Sequence, residues 1–212
     1  MQRRQFSQSL LGLSAGLAGL GTSLPSWAQG GFAAGKDYKV LDKRITTDVP
    51  AGKIEVNEFF SYGCIHCFRF EPAFEKWIKQ QSADVVVRRV HVAFSAQFVP
   101  WQQMYYALEA LDLLDSLHYK FFKAIHEERK RLTNANAIAD WVGEQGVDKA
   151  KFVAAYNSFG VAGKAKRAAQ LQDAYLVEGT PAVTVDGRFY IPGQGDRTLA
   201  IASSLVDVVR KG

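Results

Sequence analysis

Cysteine is almost absent from this 212-residue chain: there are two, Cys64 and Cys67. Two thiols cannot staple a disulfide-built scaffold. No second C-x-x-C completes a zinc site with them, and His118 and His126 stand too far apart for an i, i+4 metal pair. An excess of one charge is also missing. Lys and Arg total 26 against 21 Asp and Glu, a net charge of +5, too mild and too evenly spread for a nucleic-acid surface. Beyond the N-terminus no run is apolar enough to span a bilayer. Internal repeats and low-complexity segments are lacking too. What remains, 48% hydrophobic and 22% charged, is ordinary globular composition with length for a sizeable core.

The start of the chain reads as a secretory signal. Arg3 and Arg4 precede an apolar stretch from Leu10 to Leu24, and Ser26-Trp27-Ala28 ends in a small residue, which places cleavage after Ala28. At about 15 residues the stretch is short for a membrane span of roughly 20. Arg3-Arg4-Gln5-Phe6 before a mildly hydrophobic stretch fits the twin-arginine export route, and the general route remains open. No cysteine follows the stretch directly, which argues against a lipid anchor. Residues 1–28 carry two Arg and no acid, so their removal lowers the charge from +5 to +3. The mature protein is expected to be soluble, in a compartment where disulfides persist.

Ile54–Phe60 and Val85–Val92 read as strands around an amphipathic helix from about Cys64 to Gln80, a βαβ unit with a parallel pair. Pro72 lies inside that helix and is expected to kink or break it. Tyr38–Leu41 reads as a short edge strand. From Trp101 to about Leu176 the pattern is helical. Met104, Tyr105, Leu108, Leu111 and Leu114 form an apolar stripe, and Asp148 and Thr133 or Asn134 are caps. Strands return at Ala182–Val185 and Arg188–Ile191 around Asp186-Gly187, a hairpin signal, and a helix from about Arg197 to Arg210 closes the chain. One sheet with a helical insertion fits this order better than two sheets. The expected fold is α/β, a thioredoxin-like βαβ…ββα domain over residues 29–95 and 177–212, interrupted by a helical insertion over 96–176.

This places Cys64 where a strand ends and a helix begins. A thiolate there faces unpaired N–H groups and the positive end of the helix dipole. Cys67, one turn in, is expected to be buried and less reactive. His66, if cationic, stabilises the Cys64 thiolate further. Stabilising the reduced form makes the disulfide a stronger oxidant, about 30 mV for each 1.4 kcal/mol. A substrate thiolate then attacks at Cys64, a mixed disulfide forms, and a second substrate thiol resolves it. Glu58, mid-strand and six residues before Cys64, is either a buried carboxylate relaying protons to Cys67 or an outward-facing strand acid, with Arg88 or Arg89 as its partner. Gly179-Thr180-Pro181 opens a strand. A cis bond there leaves the Thr180 backbone free to pair with an incoming peptide, and a trans proline at a strand start is the alternative. His91, His118 and His126 read as structural.

Glu58-Phe-Phe-Ser-Tyr-Gly-Cys-Ile-His-Cys67 resembles the DsbA family of periplasmic thiol oxidases. The resemblance extends over the mature chain through Gly35-Lys-Asp-Tyr38, Val90-His91-Val92, Tyr156-Asn157-Ser158-Phe159, Gly179-Thr-Pro-Ala182 and Val185-Asp-Gly-Arg-Phe189. It implies a nucleophile at Cys64, a resolving thiol at Cys67, a thiolate-stabilising His66, a buried acid at Glu58 with Arg89 near it, and a cis-proline loop at Thr180-Pro181. It implies reduced exported polypeptides as substrates and a DsbB-like membrane quinone reductase for reoxidation. No cofactor, metal or nucleic acid is expected. Ile65 departs from the family, which usually has Pro there, and presents an apolar side chain beside the nucleophile. A reductase or isomerase of the same fold is the alternative. Isomerases of this kind resemble dimers with a separate N-terminal domain, for which the two dozen residues between signal and first strong strand leave no room, so a monomer is expected.

Overall fold

The most strand-like segment of the sequence becomes the centre of the sheet. In the computed structural model, which describes residues 31–212, β2 (Ile54–Phe60) is buried along its whole length. The expected signal segment, residues 1–28, lies outside the described residues. Beside β2 runs β3 (Val85–His91) in parallel, and on its other side β4 (Ala182–Val185) runs antiparallel. Beyond β4 come β5 (Phe189–Pro192) and the two-residue edge strand β1 (Lys39–Val40), giving the order β1-β5-β4-β2-β3. Period-two alternation puts Ile54, Val56, Glu58 and Phe60 on one face of β2. The parallel register sets Arg89 directly beside Glu58 and Arg88 beside Asn57.

The crossover between β2 and β3 is α1 (Ile65–Ile78). It buries Phe70, Phe74 and Trp77 against the sheet, where they join Ile54, Val56, Val183 and Ile191 in one apolar cluster. The helix runs through Pro72 without the expected break. Pro72 forfeits one N–H bond, but apolar anchors on both sides hold the segment helical.

After β3 come α2 (Val99–Ala110), α3 (Leu114–His126), α4 (Ala135–Glu144), α5 (Lys149–Tyr156) and α6 (Phe159–Ala174). Asn134, Asp148 and Ser158 cap the last three, each side chain accepting an N–H from three residues on. The Met104 stripe is core: Met104, Leu108, Phe121, Phe122 and Trp141 pack with Phe59 and Phe60 of β2. This is the thioredoxin-like arrangement, with five helices inserted between β3 and β4. The Asp186-Gly187 turn forms as expected, both residues at positive φ (55° and 65°), as a type I′ hairpin turn requires. A Cβ on Gly187 would lie 2.0 Å from the Ile45 carbonyl oxygen, so glycine is needed there twice over. The closing helix, α7 (Asp196–Lys211), packs on β4, β5 and α1.

Candidate active site

Cys64 is the N-cap of α1, with extended backbone (φ −91°, ψ 112°) and its sulfur turned over the first helical turn. Its Sγ accepts the Cys67 N–H at 3.3 Å and, as a thiol, donates to the Thr180 carbonyl at 3.3 Å. Both cysteines are free thiols. The Cys64 thiol is held down to about 5, from an ordinary 9.0. The largest cause is a hydrogen bond from the Cys67 thiol. Partial burial opposes it, and the Thr180 side chain and the N–H groups of Cys67 and His66 reinforce it. This is the helix-terminus setting that favours a thiolate. Cys67 is fully buried and pushed far the other way, first by burial, then by giving its hydrogen bond to Cys64 and by the negative charge there.

Thr180-Pro181 is a cis peptide bond, and the loop that carries it lies against the N-terminus of α1. Gly193 backs this loop closely: a Cβ there would fall 2.5 Å from the Pro181 carbonyl oxygen. A groove of about 740 Å³ opens beside the dithiol, with His66, Arg69 and Phe70 on one wall and Thr180, Pro181 and Tyr190 on the other. The His66 side chain is exposed along that wall, and the donor by which His66 reaches Cys64 is its main-chain N–H. Ile65, 38% exposed, presents an apolar surface at the first helical position. On the other side of Cys64, Gly63 lies under the ring of Trp101, where a Cβ would meet the indole at 2.5 Å.

Glu58 is wholly buried, and neither of its carboxylate oxygens has a hydrogen-bond partner. Burial, then the charge of Glu71, raises it well above the carboxylate range against the opposing pull of Arg89, and so favours the protonated acid. Arg89 Nε lies 3.3 Å from Glu58 Oε2, within ion-pair reach though outside hydrogen-bond geometry. The same guanidinium binds Glu71 at 2.6 Å and Glu75 at 3.0 Å. Glu71 is held ionised: burial opposes this, but His118 and Arg89 outweigh it. Of the two arginines that the sequence left open, Arg89 is thus the partner of Glu58, while Arg88 turns to Asp48 and Glu55.

Sequence reasoning gave no role to Glu71 or Tyr62 and read His118 as structural. Tyr62 Oη lies 2.8 Å from His118 Nδ1, and His118 Nε2 lies 3.3 Å from Glu71 Oε2. A signal for Glu71 exists, since it stands four residues after Cys67 and shares its helix face. None existed for His118, which arrives from the insertion. His91 and His126 serve the backbone around Tyr62: His91 Nε2 accepts the Tyr62 N–H, and His126 Nε2 bonds the Tyr62 carbonyl.

Residues 55–202 match the family described as the DSBA-like thioredoxin domain. The chain belongs to this family. Among DSBA-like relatives, it is 42% identical over 179 residues to the thiol:disulfide interchange protein DsbA of Burkholderia cepacia, covering 84% of this chain and 81% of that one. It superposes on the crystal structure of Pseudomonas aeruginosa DsbA with a TM-score of 0.81 at 36% identity, covering 85% of this chain and 95% of the other. Reduced DsbA1 from Neisseria meningitidis gives a TM-score of 0.76 at 30% identity, covering 86% and 97%. The buried acid, the split dithiol and the proline loop described above all fall within the matched DSBA-like segment.

Proposed function

We propose that this protein is a thiol:disulfide oxidoreductase that donates its Cys64–Cys67 disulfide to reduced cysteine pairs of exported polypeptides. The observation that carries the direction is the asymmetry of the two sulfurs: Cys64 is stabilised as a thiolate at about 5, while Cys67 is held protonated. Stabilising the reduced form makes the disulfide oxidising.

A substrate thiolate attacks Cys64 Sγ, the Cys64–Cys67 bond breaks, and its electron pair goes to Cys67. Glu58, a buried acid whose protonated form burial favours, gives Cys67 its proton. A second substrate thiolate then attacks the substrate sulfur of the mixed disulfide. The substrate leaves with a disulfide, and Cys64 leaves as the stabilised thiolate. The substrate segment lies in the groove, with Thr180-Pro181 offering main-chain contacts and Ile65 an apolar one. His66 adds an N–H donor to Cys64 and stands at the groove wall, where its charge favours the thiolate when present. The two electrons gained pass to a DsbB-like quinone reductase in the membrane. The signal-like residues 1–28 support export and a periplasmic location, and we assign the mature chain as a monomer with residues 96–176 as the insertion. Among the described residues no helix is long and apolar enough to cross a membrane.

The test is oxidative refolding of a reduced polypeptide. The oxidised protein should accelerate disulfide formation stoichiometrically, and Cys64→Ser should abolish the effect. Equal rates for wild type and Cys64→Ser would overturn the assignment. Equilibration with glutathione separates oxidase from reductase, since a strongly reducing couple belongs to the latter.

A further inference from the structure

Glu58 has no contact with water of its own, yet a group that hands a proton to Cys67 must recover one in every cycle. The charged groups around it define a route. Arg89 touches Glu58, Glu71 and Glu75 at once. Beyond Arg89 lies a cavity of about 440 Å³, bounded by Glu71 and Glu75 of α1, by Lys79 at its C-cap, and by Asp115, His118 and Tyr119 of α3. Tyr105 of α2 closes its inner side.

Along α1 one stripe runs from the dithiol to this opening in steps of four residues: Cys67, Glu71, Glu75, Lys79. Steps of four keep to one helix face. Side-chain exposure rises along the stripe, from buried Cys67 through Glu71 (2%) and Glu75 (42%) to Lys79 (78%). At its inner end His118 Nε2 and Glu71 Oε2 face each other at 3.3 Å, unaligned for a hydrogen bond, and neither atom has another partner. Tyr62 bonds His118 Nδ1 from behind. With Glu71 ionised, the consistent assignment is a Tyr62 O–H donating to Nδ1 and a proton on Nε2 facing the carboxylate. This cavity shares no lining residue with the groove beside Cys64.

We propose that the cavity between α1, β3 and α3 is the proton port of the active site, through which Glu58 exchanges protons with solvent by way of Glu71 and His118. The inference rests on the assignment of Glu58 as proton partner of Cys67. When the disulfide is reduced, Cys67 takes the electron pair of the broken bond and the proton of Glu58, and the Glu58 carboxylate is reprotonated through the port. On reoxidation the Cys67 proton leaves the same way. A polypeptide or redox partner covering Cys64 leaves this exchange open, because the port lies on a different face of α1. His118 is here a positioning residue, acting through Glu71.

The test is the rate at which dithiothreitol reduces the oxidised protein, from pH 5 to 8, with and without added imidazole. The ultraviolet titration of the Cys64 thiolate is the control. His118→Gln keeps a polar partner for Tyr62 but cannot relay a proton. It should slow reduction about tenfold, less than the roughly 10²–10⁴-fold of a group that transfers the proton directly, because His118 acts through Glu71. Its Cys64 titration should be unchanged, and imidazole should restore the rate with imidazole's own pH dependence. Glu58→Gln should be slow and not restored. If His118→Gln matches wild type and ignores imidazole while Glu58→Gln is slow, the port falls and the role of Glu58 stands. If Glu58→Gln reacts at the wild-type rate, both fall. Should His118→Gln fail to fold, Leu114→Trp fills the cavity wall away from the sulfurs. It should be equally slow, and a wild-type rate there overturns the port.

Discussion

Lowering the pH should remove most of the advantage that the reduced protein enjoys over the oxidised one, and the size of the effect follows from Cys64. Its thiol sits at about 5 in the folded protein against an ordinary 9.0. A group with a depressed folded pKa contributes stability that is fully present above the unfolded value and is lost as pH falls through the folded one. The window is therefore pH 9 down to 5. Within it the unfolded chain binds one more proton than the folded one, so stability of the reduced form rises by up to about 1.4 kcal/mol per pH unit. At pH 7, two units above the folded value, this amounts to roughly 2.7 kcal/mol. Cys64 is only partly buried, so solvent screens some of it, and about 1–2 kcal/mol is expected, or on the order of 20–45 mV of oxidising potential. The oxidised protein has no thiolate, so the Cys64 contribution belongs to the reduced form alone. Urea unfolding of both forms at pH 4.5, 6, 7 and 8 measures the difference directly. It should grow with pH and nearly vanish at 4.5. A reduced-minus-oxidised difference that stays flat from pH 5 to 9, or a Cys64 thiolate that titrates near 8.5, would refute the reasoning.

Replacing Arg89 with Met should lower stability by about 3–5 kcal/mol, because it leaves Glu71 as a buried carboxylate without its guanidinium partner; chemical denaturation at pH 7 reads this out. Gly193→Ala should cost about 1–3 kcal/mol and raise KM for peptide substrates, since the added methyl presses on the Pro181 carbonyl at the groove wall; a change under 0.5 kcal/mol with unchanged KM would contradict it. Cys67→Ser has no internal disulfide to donate, but its Cys64 thiolate should attack a disulfide-bonded polypeptide, displace one substrate thiolate and remain trapped as a mixed disulfide, visible as a higher-mass species on a non-reducing gel and absent from Cys64→Ser. Ile65→Ser should weaken binding of apolar-flanked cysteine peptides several-fold while leaving kcat nearly unchanged, as expected for losing a half-exposed apolar contact.

What the sequence made legible is what local pattern determines. The strand before Cys64 and the helix after it follow from periodicity and from the position of the dithiol, and Asp186-Gly187 specifies its own turn. That Glu58 faces inward became certain only with the sheet, because a strand buried on both faces lacks the alternation that would decide it. Arg88 and Arg89 could not be separated from sequence, since the choice depends on the register between β2 and β3, and a shift of one residue exchanges the faces. Pro72 does not break the helix for a physical reason: its penalty is local, while the packing of Phe70, Phe74 and Trp77 that outweighs it is not. His118 was out of reach, because the insertion brings it to α1 from about fifty residues away and nothing in its neighbourhood marks it.

The arrangement around the two sulfurs also bears on why a reductase is the weaker reading. One helical turn separates Cys64 from Cys67, yet Cys64 receives the N–H groups of His66 and Cys67 and the Cys67 thiol, while burial dominates Cys67. The Cys67 thiol itself is the largest of those donors. That bond exists only in the reduced protein and disappears when the disulfide closes. It is therefore a preference for the dithiol written into the pair rather than into its surroundings, and the helix dipole adds to it in the same sense. Glu58 points the same way: burial favours its protonated form, which is ready to protonate Cys67 as the disulfide opens and must be deprotonated before it can help the disulfide close. Reoxidation therefore needs an oxidant strong enough to work against both, the requirement that the proposed quinone-linked partner would have to meet.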